Sequence, residues 1–150
     1  MRGGTTSTTP TNLGGLALYN NSTGAELLAL WTINVGSANT ATSGMGLFQG
    51  KPQGSALTAS PLVSGESIRA GQLVQIDSTT NYLVDYPTTF VSGMPDYLDP
   101  GLPYAVLHPG FSLVWQDKTT GNTYVAGFIW QVIHPQDLYG KDCQICDAGA

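Results

Sequence analysis

Charge is what this sequence has least of. Of its 150 residues five are Lys or Arg and ten are Asp or Glu, 10% in all, where a globular chain carries about a quarter. The basic residues Arg2, Lys51, Arg69, Lys118 and Lys141 are scattered. No cationic patch can track a phosphate backbone, so a nucleic-acid partner is excluded. No basic amphipathic stretch exists to lie on a membrane surface. Long apolar runs are missing too: LLALW, residues 27–31, falls far short of the ~20 residues of a spanning helix. The opening MRGGTTSTTP has no apolar signal core, so the chain is expected to be made in a cytoplasm and kept there or released by lysis. Its two cysteines, Cys143 and Cys146, do not make a disulfide framework.

Small uncharged residues fill the deficit, with 19 Gly and an abundance of Thr and Ser. Disorder is nonetheless a poor reading, because 41% hydrophobic content can supply a core for one ordinary domain. Helical periodicity longer than a turn is absent. Alternation with period two recurs instead, and seven to nine strands separated by Gly and Pro predict an all-β antiparallel sandwich, jelly roll or barrel. Parallel pairing is disfavoured for want of crossover helices.

The strongest pattern is FSLVWQDKTTGNTYVAGFIWQVIH, residues 111–134. It predicts a hairpin turning at Lys118-Thr119-Thr120-Gly121. Its return strand carries Tyr124, Ala126, Phe128, Trp130 and Val132 on one face, and Val125, Ile129 and Ile133 on the other. Burial of Trp115, Phe128 and Trp130 should contribute about 1.5–3 kcal/mol apiece. A second predicted hairpin spans residues 14–35 and turns at Asn21-Ser22-Thr23-Gly24. Its return strand places Leu27, Ala29, Trp31, Ile33 and Val35 inward, leaving Leu28 and Leu30 on the opposite face. LALYNNSTGAELLALWTINV superimposes without a gap on LVWQDKTTGNTYVAGFIWQV, 97 residues later. The two long strands are therefore expected to pair in one sheet.

Three parts are expected. Residues 1–13, with almost nothing to bury, read as a flexible arm. Residues 14–135 form the β domain, and residues 136–150 a polar tail with one helical turn. Residues 36–60 read as a long loop with an extended piece at 45–49. Residues 72–76 and 82–85 read as a further hairpin. Residues 87–103, with four prolines, read as a rigid surface loop. A short strand is expected at 104–107.

Chemistry is thin. Cys143-Gln144-Ile145-Cys146 is a lone C-x-x-C, half of a zinc site at most, and acidic Asp142 and Asp147 would raise the thiol pKa values rather than lower them. Inert thiols, a disulfide or a shared metal all remain open. Asp85, Asp96 and Asp99 suit turn chemistry beside proline better than a cation site. Neither a nucleophile elbow nor a phosphate loop occurs. No enzyme activity, cofactor or metal is expected. All three tryptophans fall on the predicted inward parity, so Tyr97 and Tyr104 are the better candidates for a surface aromatic that could meet a glycan.

The run SGESIRAGQLVQIDSTTNYLVDY resembles the strand–Gly–strand unit of tailed-bacteriophage head decoration proteins, with Ile68, Gly71, residues 73–76, Tyr82 and Val84 in the corresponding places. The resemblance covers about 23 residues, and the rest of the chain does not align to it. It implies a virion accessory role: a cement subunit, often a trimer, clamping major capsid protein or neighbouring subunits on a particle assembled in the host cytoplasm. Interaction residues are then expected in the arm (Thr5, Thr6, Thr8, Thr9), in the long loop (Met45, Leu47, Phe48), at Tyr97, and at the apolar outward pair Leu28 and Leu30. A tail or fibre module recognising carbohydrate is the alternative.

Overall fold

The computed structural model describes residues 2–7, 13–37, 43–78, 80, 82, 103–117 and 124–139. They form nine strands: β1 (Arg2–Ser7), β2 (Leu13–Tyr19), β3 (Leu27–Ser37), β4 (Ser43–Gln49), β5 (Ser55–Leu57), β6 (Gln72–Ser78), β7 (Ala105–Leu107), β8 (Phe111–Asp117) and β9 (Tyr124–Ile133). One helical turn, α1 (Pro135–Tyr139), follows. The strands make two antiparallel sheets, β1-β9-β3-β7 and β4-β8-β2-β6-β5. The chain is thus the all-β sandwich that its alternating pattern implies.

Neither strong pattern is a hairpin. β2 lies in the five-stranded sheet and β3 in the four-stranded one, and β8 and β9 are divided in the same way. Each predicted hairpin is an arch that carries the chain from one sheet to the other. Alternation and a Gly-containing turn specify strand–turn–strand, but an arch and a hairpin share that signature. What separates them is where the bulky faces go. In an arch the inward faces of the two strands meet across the core, so Trp115 of β8 packs on Tyr124 of β9 with ring centroids 5.0 Å apart, and the Tyr124 hydroxyl donates to the Gly15 carbonyl of β2 at 3.2 Å.

The strands are paired in nested order: β1 with β9, β2 with β8, β3 with β7. This is a long antiparallel ribbon folded back on itself and wound over two sheets, the winding of a jelly roll. β6 departs from it by adding to β2 rather than lying beside β4. The 97-residue repeat is visible in the pairing. Ala17 faces Val114 across β2 and β8, and Thr32 faces Ile129 across β3 and β9. Each of these pairs joins residues 97 apart in the sequence.

The core between the sheets takes Leu16, Leu18, Leu73, Leu113 and Trp115 from one side, and Leu28, Leu30, Ile33, Phe128 and Trp130 from the other. This reverses the expected parity at the start of β3, for a reason seen in its ladder. Leu30 pairs with Trp130 and Thr32 with Ile129, leaving Trp31 as the extra residue of a bulge. A bulge switches which alternate side chains face inward. Leu28 and Leu30 therefore point into the core before it, Ile33 and Val35 after it, and Trp31 turns out.

The outer face of the five-stranded sheet is apolar as well, with Ala17, Val74, Ile76 and Val114 fully buried under Phe48 and Tyr82. Phe48 comes from β4 and Tyr82 from the chain after β6. Buried Gln116 holds it by donating to the Thr80 carbonyl at 2.9 Å and accepting from the Tyr82 N–H at 3.1 Å. Tyr82 stands edge-on to Phe48, and its hydroxyl accepts from the Gln53 N–H at 2.8 Å. Tyr82 lies outside any strand, so the hairpin expected at 72–85 does not form there; residues 83–85 lie outside the described ones.

The N-terminal segment is also corrected. Residues 2–7 are not a loose arm but an edge strand in register with β9, from Arg2 opposite Ile129 to Ser7 opposite Tyr124. Hydrophobic content gives no hint of this, because a main-chain ladder needs no apolar side chains. β4 extends the expected piece at 45–49 to a seven-residue strand. β7 and α1 lie where a short strand and a helical turn were expected.

Candidate functional site: a groove beside the end of β9

The described pairs of β1 and β9 run from Ser7 opposite Tyr124 to Arg2 opposite Ile129, and β9 runs on to Ile133, paired with β3 on its other side. The segment 61–70 stands opposite this end of β9. It is anchored at its base, where the Trp130 indole Nε1 donates to the Ala70 carbonyl at 3.3 Å and the Gly71 N–H donates to Asn21 Oδ1 at 2.8 Å. Gly71 is required here. Its φ of +103° is a left-handed conformation, and a Cβ would lie 2.3 Å from the Trp130 indole nitrogen.

Between the end of β9 and the segment lies a half-open groove of about 900 Å³. Residues 129–134 line it without a break, so inward-facing and outward-facing side chains of β9 both border it. Glu26 and Trp31, from the β3 side of β9, line it as well, so the groove is not confined to the β1 side of the strand. The bulged Trp31 forms part of the wall, its Nε1 donating to Gln131 Oε1 at 3.2 Å. Leu62 and Val63, 51% and 59% exposed, form an apolar rim.

The charged lining comprises Glu26, Glu66 and Asp137 against Arg69, with His134 beside them. Glu26 accepts a hydrogen bond from the Ser22 hydroxyl. That bond is the main cause holding its carboxyl below the usual carboxylate range, helped by its own N–H and by the charges of His134 and Arg69. Asp137 accepts from the backbone N–H of His134 at 3.1 Å, and His134 Nδ1 lies 3.5 Å from the Gln136 N–H. The pair caps α1 in the manner of a capping box. Ser67 borders the same groove, but Asp137 engages the main chain of His134 and not its imidazole. Nothing in this arrangement orients the ring toward a nucleophile as hydrolytic catalysis requires.

The structure places the expected interaction residues unevenly. Leu28, Leu30 and Met45 are corrected outright, being buried in the core at 0%, 0% and 2% exposure, where no partner can reach them. Phe48 is committed to covering the outer sheet face. Leu47 is 47% exposed on edge strand β4. Thr5 and Thr6 lie in β1 opposite Ala126 and Val125. Thr8, Thr9 and Tyr97 lie outside the described residues, as do Asp85, Asp96, Asp99, Cys143 and Cys146. Among the described residues no three His, Cys, Asp or Glu side chains gather to hold a metal, and no helix is long and apolar enough to cross a membrane. None of the groove residues is among the interaction residues expected from the sequence, although Ile129 and Ile133 fall on the second apolar face expected for the last strand. Trp31 was assigned to the core, and only the bulge, which alternation cannot show, moves it out. In comparisons with known proteins, no family model, no curated protein and no solved structure matches the chain.

Proposed function

We propose that this protein is a structural, non-enzymatic subunit of an assembled particle, of the head decoration or cement kind that its central run resembles. The observation that carries this reading is an asymmetry between the two outer faces. The five-stranded sheet is covered by its own chain, with Ala17, Val74, Ile76 and Val114 at 0% exposure. On the four-stranded sheet Val125 of β9 is 54% exposed and the strand runs on into the groove, while Leu27 and Ala29 at the start of β3 are covered at 1% exposure. A chain this poor in charge is suited to a broad permanent contact, since charged residues are depleted at the centre of interfaces. Jelly-roll winding is also common among capsid domains, which supports the reading by analogy only.

The test is co-sedimentation with heads of the phage whose genome encodes the chain, comparing the wild type with Val125→Glu. Binding at fixed stoichiometry that falls at least about tenfold in the variant supports the assignment. Absence of wild-type binding to heads overturns it. One observation favours a second reading, recognition of carbohydrate: Trp31 is presented in an open groove beside an amide and several carboxylates. Saturable quenching of indole fluorescence by soluble oligosaccharides, abolished in Trp31→Ala, would select it.

A further inference from the structure

We infer that the groove is the binding site of a short uncharged oligosaccharide, with Trp31 as its apolar platform and Gln131, Arg69 and Glu66 as the groups that meet its hydroxyls. The inference rests on the carbohydrate reading of this groove and deepens it by naming the class of sugar. It is independent of particle binding, whose test lies at Val125.

Three observations carry it. The first is the setting of Trp31. The bulge expels it from the core, and its indole Nε1 already has a partner in Gln131 Oε1 at 3.2 Å. With that polar edge satisfied, the indole adds apolar ring surface to the wall. A sugar ring is its counterpart: C–H groups on a face pack against the indole, and the hydroxyls on the rim are left for polar groups. The volume of about 900 Å³ is at the upper end of the range for sites that enclose a drug-sized ligand, so the groove takes more than a single sugar ring.

The second observation is a set of uncommitted groups of both hydrogen-bonding kinds. Gln131 Oε1 is taken by Trp31, which leaves its Nε2 as a donor. Among the described residues neither Arg69 nor Glu66 has an ion-pair or hydrogen-bond partner for its side chain. All three side chains are exposed and border the groove. Hydroxyls both donate and accept, so amide and guanidinium donors with a carboxylate acceptor suit them.

The third is charge. Three carboxylates, Glu26, Glu66 and Asp137, outnumber the guanidinium of Arg69, so an acidic sugar would meet like charge. A cationic ligand fares no better than a neutral one. Glu26 is engaged by the Ser22 hydroxyl and Asp137 by the His134 N–H. That leaves one uncommitted carboxylate, Glu66, set against Arg69, and no pair of carboxylates to hold a cation.

The experiment screens the full chain on an array of uncharged oligosaccharides and of counterparts bearing uronate, sialate or sulfate groups. Binders are titrated by NMR, where the Trp31 indole N–H reports from inside the groove and that of buried Trp115 serves as the reference. The expected result is saturable binding of an uncharged oligosaccharide that shifts the Trp31 and Gln131 side-chain signals, with its acidic counterparts at least about tenfold weaker. Trp31→Ala should weaken binding at least about tenfold. Gln131→Ala, an exposed substitution that leaves the fold intact, should weaken it several-fold. Acidic sugars that bind as tightly as neutral ones would overturn the inference and leave the carbohydrate reading standing. Binding that leaves the Trp31 signal unmoved and survives both substitutions, or no binding at all, would overturn both. Co-sedimentation with heads is expected to survive Gln131→Ala, so neither failure touches the assembly reading.

Discussion

Asn20 and Asn21 are neighbours of the same type, yet replacing them should have very different costs. Asn20 is fully buried. Its Nδ2 donates to the carbonyls of Glu26 and Leu107, each at 2.9 Å, and its Oδ1 accepts from the Ser22 N–H at 3.0 Å. Its main chain adds an N–H to the Phe111 carbonyl and a carbonyl to the Gly110 N–H, both at 2.9 Å. One residue thus ties the end of β2 to the arch, to the end of β7 and to the start of β8. Asn20→Ala removes three side-chain hydrogen bonds at about 0.5–1.5 kcal/mol each and leaves the buried Leu107 acceptor short of a partner, at about 1–3 kcal/mol. The expected loss is about 3–5 kcal/mol, which at a urea m-value of about 2 kcal/mol/M lowers the midpoint by roughly 1.5–2.5 M. Asn20→Asp should be worse at neutral pH, because a carboxylate would face two carbonyl oxygens, and it should recover partly in acid, where the carboxyl can donate again. Asn21→Ala loses a bond to Gly71 at an exposed position and should cost less than about 1 kcal/mol. Equilibrium unfolding in urea, followed by tryptophan fluorescence at several pH values, measures all three. A loss below about 1 kcal/mol for Asn20→Ala, or an Asp variant as stable as the wild type at neutral pH, would refute the argument that this knot holds the two sheets together.

Two further outcomes are expected. Trp115 and Trp130 are both buried, but Trp130 donates its indole N–H to Ala70 while Trp115 Nε1 has no partner. Trp130→Phe should therefore cost about 1–2 kcal/mol more than Trp115→Phe, read as a difference in urea midpoints, since only the former breaks a bond and the latter removes a buried unsatisfied donor. Because the fold lowers the Glu26 pKa, chiefly through Ser22, the stabilisation from its carboxylate is complete above the ordinary carboxylate range and is lost as pH falls through the lowered value. Glu26→Gln and Ser22→Ala should each flatten the acid limb of a melting-temperature profile and leave its neutral end less stable than the wild type.

The sequence makes some elements legible and hides others for definable reasons. Alternation in residues 111–117 and 124–133 locates two long strands because both have one continuous apolar face, and the 97-residue match anticipates that β3 and β9 share a sheet. The same signals cannot distinguish hairpin from arch, since that choice depends on contacts such as Trp115 on Tyr124, which form only when the whole ribbon winds. β1 escapes detection because RGGTTS offers no apolar period, and a main-chain ladder needs none.

The groove escapes for a sharper reason. Its wall depends on one surplus residue in β3, and inserting or removing one residue reverses every side chain on that side of the change. Read without the bulge, Trp31 belongs to the core and Leu28 and Leu30 to the surface; with it, each exchanges places. The bulge sits beside Trp130, the residue that anchors segment 61–70 through Ala70. Expulsion of Trp31 and anchoring of the opposite wall therefore occur at one level of the sheet. A bulge that served only to twist the sheet could sit anywhere along an eleven-residue strand. Its position beside Trp130, with Trp31 forming part of the groove wall, links the strand's irregularity to the site, consistent with the placement of bulges where a side chain must be re-aimed.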